Sequence, residues 1–279
     1  MRLLYLLGYP VAHSLSPAMQ NAALRVLGLD YEYRLLPVPP EGLEEKVAEL
    51  RDSSVAGFNV TIPHKVAVLP IVDALDKTAS TVGAVNTVVN DDGHLRGYNT
   101  DCVASTRAVR EAYGDLAGCR VVVLGAGGAA RAVASGLAPH AEWIKVLARD
   151  EDRAKALAKQ VRGRTDVDIQ GGDLGEAAET IRSADILVNA TPVGMSPDRD
   201  RSPVEAGALH PGLLVFDLVY NPERTSLLAD AEAAGARTLG GLIMLVYQGA
   251  EAFRLWTGRV APEALMMRAA REALGGAAA

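Results

Sequence analysis

Four short clusters interrupt the first hundred or so residues with side chains that donate, accept or carry a proton. They are His13-Ser14-Leu15-Ser16-Pro17, Asn59-Val60-Thr61-Ile62-Pro63-His64-Lys65, Gly83-Ala84-Val85-Asn86-Thr87 and Gly97-Tyr98-Asn99-Thr100-Asp101. Each falls at the end of an apolar run or in a turn, where a rigid scaffold displays functional groups. Together they offer hydroxyls (Ser14, Ser16, Thr61), an amide (Asn86), an ammonium (Lys65) and a carboxylate (Asp101), a set suited to a small polyhydroxylated acid. A positioned base is what alcohol oxidation needs. A carbinol carbon gives up hydride only as its hydroxyl proton is removed, and in reverse a protonated group polarises the carbonyl. Taken singly, each residue reads as a cap or a turn; Ser16 is the plainest case, expected to cap a helix that Pro17 opens.

A second constellation begins where Val121-Val122-Val123-Leu124 runs into Gly125-Ala126-Gly127-Gly128-Ala129-Ala130-Arg131. Strand, glycine turn and helix follow in the order a dinucleotide site requires. Gly125 permits the tight turn, Gly127 lets backbone approach a pyrophosphate, and Ala130 lets the helix pack on the strand. The helix start, at Gly128 and Ala129, turns free N–H groups toward the phosphates. The next strand, Trp143–Leu147, ends in Ala148-Arg149-Asp150-Glu151-Asp152-Arg153. An acid at the first of these positions would take a ribose 2′-OH, and Ala148 cannot. Arg149 and Arg153 suit a 2′-phosphate, which favours NADP. The three carboxylates between them would repel that phosphate if turned inward; otherwise they serve the positive end of a helix dipole.

The elements that must position these groups form two β/α patterns. In the first, Leu3–Leu7, Tyr31–Val38 and Gly57–Ile62 read as strands and Glu41–Arg51 as a helix. Val85–Val89 and Leu95–Tyr98 flank Asp91-Asp92-Gly93 as in a hairpin. In the second, Val121–Leu124, Trp143–Leu147, Ile186–Ala190 and Leu213–Val219 read as strands buried on both faces, with shorter candidates at Val167–Ile169 and Ala236–Leu239. Ala129–Leu137, Glu151–Arg162 and Ser226–Ala234 read as the helices between them. This alternation predicts an α/β protein whose second half is a doubly wound parallel sheet. Met195–Leu209 is read either as a solvated connection or as a flap beside a cofactor. The Gly- and Ala-rich end, Gly275–Ala279, is expected to fray.

Composition excludes several function classes. The chain has 279 residues, 49% hydrophobic and 22% charged, ordinary for one large or two modest globular domains. Twenty-eight basic against 34 acidic residues give a net charge of −6, so no basic field favours nucleic acid or anionic membrane. Cys102 and Cys119 make neither a disulfide framework nor a four-cysteine metal site, and the five histidines show no paired spacing, so no metal is expected. The first apolar run is too short for an export signal and none reaches membrane-spanning length, which points to the cytoplasm.

The four polar clusters, the Gly125–Ala132 turn, Asn189-Ala190-Thr191-Pro192-Val193-Gly194-Met195 and the stretch Gly241–Gln248 resemble the shikimate dehydrogenases of the shikimate/quinate dehydrogenase family, in family order along nearly the whole chain. The resemblance implies an N-terminal α/β substrate domain (1–101, completed by C-terminal helices within 240–279) and a Rossmann-type NADP domain (102–239). It implies reversible reduction of 3-dehydroshikimate to shikimate in aromatic amino-acid biosynthesis, by a monomer or homodimer. By the same resemblance Lys65 is the acid/base and Asp101 its partner. Ser14, Ser16, Thr61, Asn86, Tyr220 and Gln248 hold the substrate. Gly125, Ala126, Gly127, Gly128 and Ala129, with Ala148, Arg149, Asp150 and Arg153, hold the cofactor, and Leu218 and Gly241 border its nicotinamide. The chain departs from the family pattern at Gln20, Cys102 and Ala148-Arg149-Asp150. The last departure keeps an NAD-linked quinate enzyme open as an alternative, beside a nucleotide-binding regulator without turnover.

Overall fold

The computed structural model describes residues 1–163 and 165–276. The chain divides into two compact units, Met1–Ala104 with Leu245–Ala279, and Ser105–Met244.

The first unit opens with β1 (Arg2–Gly8), α1 (Ser16–Val26) and β2 (Tyr31–Pro37). A single 3-10 turn at Pro40–Gly42 leads directly into α2 (Leu43–Glu49), so the helix expected over 41–51 begins as a 3-10 turn and ends at Glu49. Then come β3 (Val55–Val60), β4 (Ala74–Leu75), α3 (Lys77–Val82), β5 (Thr87–Asp91), β6 (His94–Tyr98) and the start of α4 (Thr100–Tyr113). The sheet runs β2-β1-β3-β5-β6-β4. β1 is parallel to both neighbours, whereas β5 is antiparallel to β3 and forms the expected hairpin with β6. Leu7, Val47, Phe58, Val60, Val85 and Val88 pack one core of this unit.

Two local features differ from the sequence reading. Leu15, not Ser16, occupies the capping position of α1 and makes no side-chain cap. The Ser16 N–H is instead taken by Ser14 Oγ at 3.2 Å, which leaves the Ser16 hydroxyl out of the capping role. Helix α4 goes unplaced by apolar periodicity. It starts because Asn99 Oδ1 accepts from the Cys102 N–H at 3.0 Å, the geometry of an N-cap.

The second unit holds β7 (Cys119–Leu124), α5 (Gly128–Leu137), β8 (Ala141–Ala148), α6 (Glu151–Arg162), β9 (Asp168–Asp173), α7 (Ala177–Ile181), β10 (Ile186–Asn189), β11 (Leu214–Asp217), α8 (Ser226–Ala233) and β12 (Arg237–Gly240). Its six strands are parallel, in the order β12-β11-β10-β7-β8-β9. Counted from β7, this is the doubly wound order that reverses between the first and fourth strands. β10 and β11 are buried at every position, as strands covered on both faces must be. Val122, Leu124, Leu187, Val215 and Leu227 pack one of the layers between sheet and helices. Met195–Leu209 is largely irregular, with a 3-10 turn at Ala206–Ala208.

The chain ends in α9 (Gly241–Thr257) and α10 (Glu263–Gly276), and α10 packs on α1. Gly275 and Gly276 thus close a helix rather than a frayed tail, and the rest of that expectation lies outside the described residues. Among the described residues no helix is long and apolar enough to cross a membrane.

One ion pair ties the edge of the first sheet together. Arg51 donates to both Asp73 carboxylate oxygens, at 2.6 and 3.1 Å, and to the carbonyls of Gly93 and Ile71. With the Leu95 N–H also on Asp73, these bonds hold that carboxyl down at about 2. Because the folded value lies below the unfolded one, the pair stabilises above the ordinary carboxylate range, and its contribution fades as pH falls toward 2. An NMR titration should find Asp73 at about 2, moving up toward an ordinary carboxylate in Arg51→Met. An unchanged midpoint in the variant contradicts the assignment.

Candidate active site

Lys65 and Asp101 come from different elements and meet because both backbones are pinned. After β3 the chain turns through a cis Ile62–Pro63 peptide, with the Thr61 N–H on Leu7 O at 2.9 Å and the His64 N–H on Thr61 O at 2.9 Å. His64 is buried, and its Nε2 donates to Val38 O at 2.7 Å; its role is structural. The Lys65 carbonyl accepts from the Val85 N–H at 2.7 Å. Asp101 sits in the first turn of α4, where the helix dipole favours a carboxylate. Asn99 fixes that turn twice over, capping α4 with its oxygen and donating Nδ2 to Ala84 O at 2.8 Å. The result is a Lys65 Nζ to Asp101 Oδ2 bond of 2.6 Å, with side chains only 16% and 7% exposed. Cys102, next in sequence, is no rival nucleophile: burial, with the Asp101 charge adding, pushes its thiol up to about 11.

A buried hydrogen-bond chain runs beneath this pair. Asn86 Oδ1 accepts from the Thr100 N–H at 2.7 Å, and its Nδ2 donates to Thr100 Oγ1 at 2.9 Å. Asn59 stands opposite Thr87 across the β3–β5 ladder and donates Nδ2 to Thr87 Oγ1 at 2.9 Å and to Asn86 O at 3.1 Å. A carbonyl can only accept, so the Asn59 amide has one orientation, and its Oδ1 faces the Tyr33 hydroxyl, which donates at 2.8 Å. Burial raises the Tyr33 phenol, with Ser16 acting in the opposite direction. The structure therefore links Tyr33 and Asn86 to the residue preceding Asp101. Of the linking groups, Asn59, Thr87 and Thr100 lie in the polar clusters of the sequence without a role assigned to them, and Tyr33 lies outside those clusters. A polar side chain inside an otherwise apolar strand was the available signal for Asn59.

Ser14 and Thr61 are half-buried in the same unit, Thr61 on the turn that carries Lys65. Gln248 lies on α9, nearly buried, with Nε2 donating to Leu245 O at 2.8 Å. The buried Gln20 amide binds the carbonyl of the adjacent Gly249 at 2.9 Å, joining α1 to α9.

In the second unit the glycine turn has the shape its sequence predicts. Gly125 has φ +105°, and a Cβ there would sit 3.0 Å from Ala190 O and 3.2 Å from the Thr191 methyl. Ala126 follows, and Gly127 caps α5 in an extended conformation, with open space where a side chain would project. The N–H groups at the start of α5, from Gly128 and Ala129 onward, are thus presented beside the reversal between β7 and β10, a fit for a dinucleotide pyrophosphate. Ala148 ends β8, and Arg149 is exposed. Asp150 caps α6, accepting from the Arg153 N–H at 3.1 Å and pairing with the Arg153 guanidinium at 3.2 Å. Glu151 pairs with Lys155 at 2.8 Å. Two of the three carboxylates thus serve the helix start. Leu218 and Tyr220 are half-buried after β11, and burial raises the Tyr220 phenol; Gly241 opens α9. Among the described residues no group of three or more His, Cys, Asp or Glu is placed to hold a metal ion.

Family models match three stretches of the chain. Residues 6–88 match the shikimate dehydrogenase substrate binding domain, 107–218 the shikimate/quinate 5-dehydrogenase domain, and 241–271 the shikimate 5′-dehydrogenase C-terminal domain. The shikimate dehydrogenase (NADP+) of Methanopyrus kandleri is 50% identical over 274 residues, covering 96% of this chain and 94% of that protein. The crystal structure of shikimate 5-dehydrogenase from Thermus thermophilus with NADP(H) and shikimate superposes with a TM-score of 0.87 at 41% identity, covering 98% of this chain and all of that one. Quinate dehydrogenase from Corynebacterium glutamicum with NAD gives a TM-score of 0.89 at 34% identity, over 97% and 99% of the two chains. With half its residues shared across nearly its full length, the chain belongs to the shikimate dehydrogenase family.

Proposed function

We propose that this chain is an NADP-dependent oxidoreductase that interconverts 3-dehydroshikimate and shikimate, a step of aromatic amino-acid biosynthesis. The observation that carries the reading is the Lys65–Asp101 pair, 2.6 Å long and nearly shut off from water, set against a buried array of hydroxyls and amides. A regulator that only senses nucleotide needs the glycine turn but has no use for such a pair.

In the oxidative direction Lys65 takes the proton of the substrate's reacting hydroxyl as hydride leaves the same carbon; in reduction the Lys65 ammonium donates to the forming alkoxide. Asp101 holds the ammonium in place. Ser14, Ser16, Thr61, Asn86, Tyr220 and Gln248 bind the substrate's carboxylate and remaining hydroxyls. When bound, NADP(H) supplies the hydride acceptor or donor. Gly125 to Ala129 cradle its pyrophosphate, Leu218 and Gly241 border its nicotinamide end, and Arg149 with Arg153 meet the 2′-phosphate near Ala148. Asp150 was the residue that kept NAD open. Its carboxylate is committed to capping α6, which favours the NADP reading over a quinate enzyme using NAD. The net charge of −6 and two free cysteines suit a cytoplasmic monomer or homodimer without nucleic-acid partners.

Replacing Lys65 by Ala should lower kcat by about 10²- to 10⁴-fold, the usual worth of a positioned acid/base, while NADPH affinity stays within twofold or so. Stopped-flow turnover and fluorescence titration read the two separately. Unimpaired turnover would remove Lys65 from the chemistry. Because Asn99 anchors the turn that carries Asp101, Asn99→Ala should cost about 1–2 kcal/mol in urea unfolding and also lower kcat. A stability change below about 0.3 kcal/mol would deny the cap its weight.

A further inference from the structure

Asp217 is the last residue of β11, fully buried, and takes no part in the chemistry above. Burying a carboxylate is costly, and an apolar residue at a strand end between two neighbouring strands would avoid that cost. The carboxylate is instead surrounded by donors. Its Oδ1 accepts from Asn189 Nδ2 at 2.9 Å and from the Val219 N–H at 3.0 Å, and its Oδ2 accepts from Thr225 Oγ1 at 2.7 Å. Burial raises its carboxyl above the ordinary range, while those three bonds pull the other way.

Two of the partners lead to segments that the proposed function places beside the cofactor, and the third anchors a helix. Asn189, paired in register with Asp217 at the end of β10, accepts through Oδ1 from the Thr191 N–H at 3.0 Å and the Thr191 hydroxyl at 2.6 Å. The Thr191 methyl is one of the groups closing in on Gly125 of the phosphate turn. Val219 belongs to the Leu218–Tyr220 strap. On its other side that strap is pressed against Gly241, where a Cβ would collide with the Leu218 carbonyl. Thr225 caps α8 through the Leu228 N–H at 3.3 Å.

We propose that Asp217 is a positioning residue that fixes the strap bordering the nicotinamide and, through Asn189 and Thr191, the turn facing the phosphate loop, so that the NADP site is preformed. The inference rests on the cofactor reading above and adds a residue to it. Its donor-rich, solvent-free setting distinguishes it from a packing residue, because only an acceptor can hold all three donors at once.

The test is NADPH binding, measured by fluorescence titration without substrate, together with the KM values of both substrates. In Asp217→Ala the NADPH Kd and the NADP KM should rise by about tenfold or more, the cost of leaving buried donors unpaired at the site, while shikimate KM changes by less than about twofold. Asp217→Asn keeps an oxygen for Asn189 and Val219 and should recover most of the affinity. Folded Asp217→Ala that binds NADPH as tightly as the parent overturns the proposal, as does an equal rise in both KM values. If Asp217→Ala does not fold, Thr225→Val removes one donor while the carboxylate stays; it should weaken NADPH binding about threefold, and an unchanged Kd overturns the proposal. A parent protein that binds no NADPH overturns the cofactor reading itself, and this inference with it.

Discussion

An ammonium and a carboxylate leave water together at tolerable cost only when they meet at hydrogen-bond distance and their surroundings hold them there. The Lys65–Asp101 pair meets that condition at 2.6 Å, and much of the first unit is arranged around it. The turn after β3 is tied to β1 and to Val85, and the start of α4 is capped by Asn99, which also grips Ala84. Beneath the pair, Asn59, Thr87, Asn86 and Thr100 satisfy one another, so these four polar side chains are buried at the strand ends with partners. A loose member of this set would not merely cost stability. In the proposed mechanism it would also let Lys65 wander from the hydroxyl it deprotonates, and catalysis tolerates little misplacement.

The second unit solves a different problem with the same means. A parallel sheet buried on both faces has no polar surface except at its strand ends, so ligand contacts must be built there. In the proposed cofactor site the Gly125–Gly127 turn does this by being small, with open space at Gly127, and the Asp217–Asn189–Thr191 chain does it by bonding neighbouring strand ends to one another. Preorganisation of this kind removes part of the ordering cost of binding.

What could be read from the sequence follows from how local each signal is. The β7–α5 turn and the β5–β6 hairpin are encoded by adjacent residues, and both are where the pattern placed them. The family resemblance pointed to Lys65 and Asp101, although 36 positions separate them. The linking residues were not legible, because Asn59 and Thr87 meet only through strand register, and Tyr33 reaches Asn59 from a strand that is not its neighbour. Helix α4 escaped because its start depends on a cap rather than on apolar periodicity. Ser16 was misjudged as a cap for a related reason: Ser14 takes its backbone N–H, and a single sequence does not say which of two nearby serines does so. The acids after β8 are ambiguous in sequence because a helix cap and a ribose ligand call for the same side chain; in the structure Asp150 caps α6.

The most direct measurement is a set of four initial rates at alkaline pH, shikimate and quinate each with NADP and with NAD. The account predicts rapid oxidation of shikimate with NADP and much slower reaction in the other three. Comparable or faster oxidation of quinate with NAD would contradict it and return Asp150 to the ribose, and silence in all four from folded, NADP-binding protein would leave Lys65 and Asp101 without a reaction to catalyse.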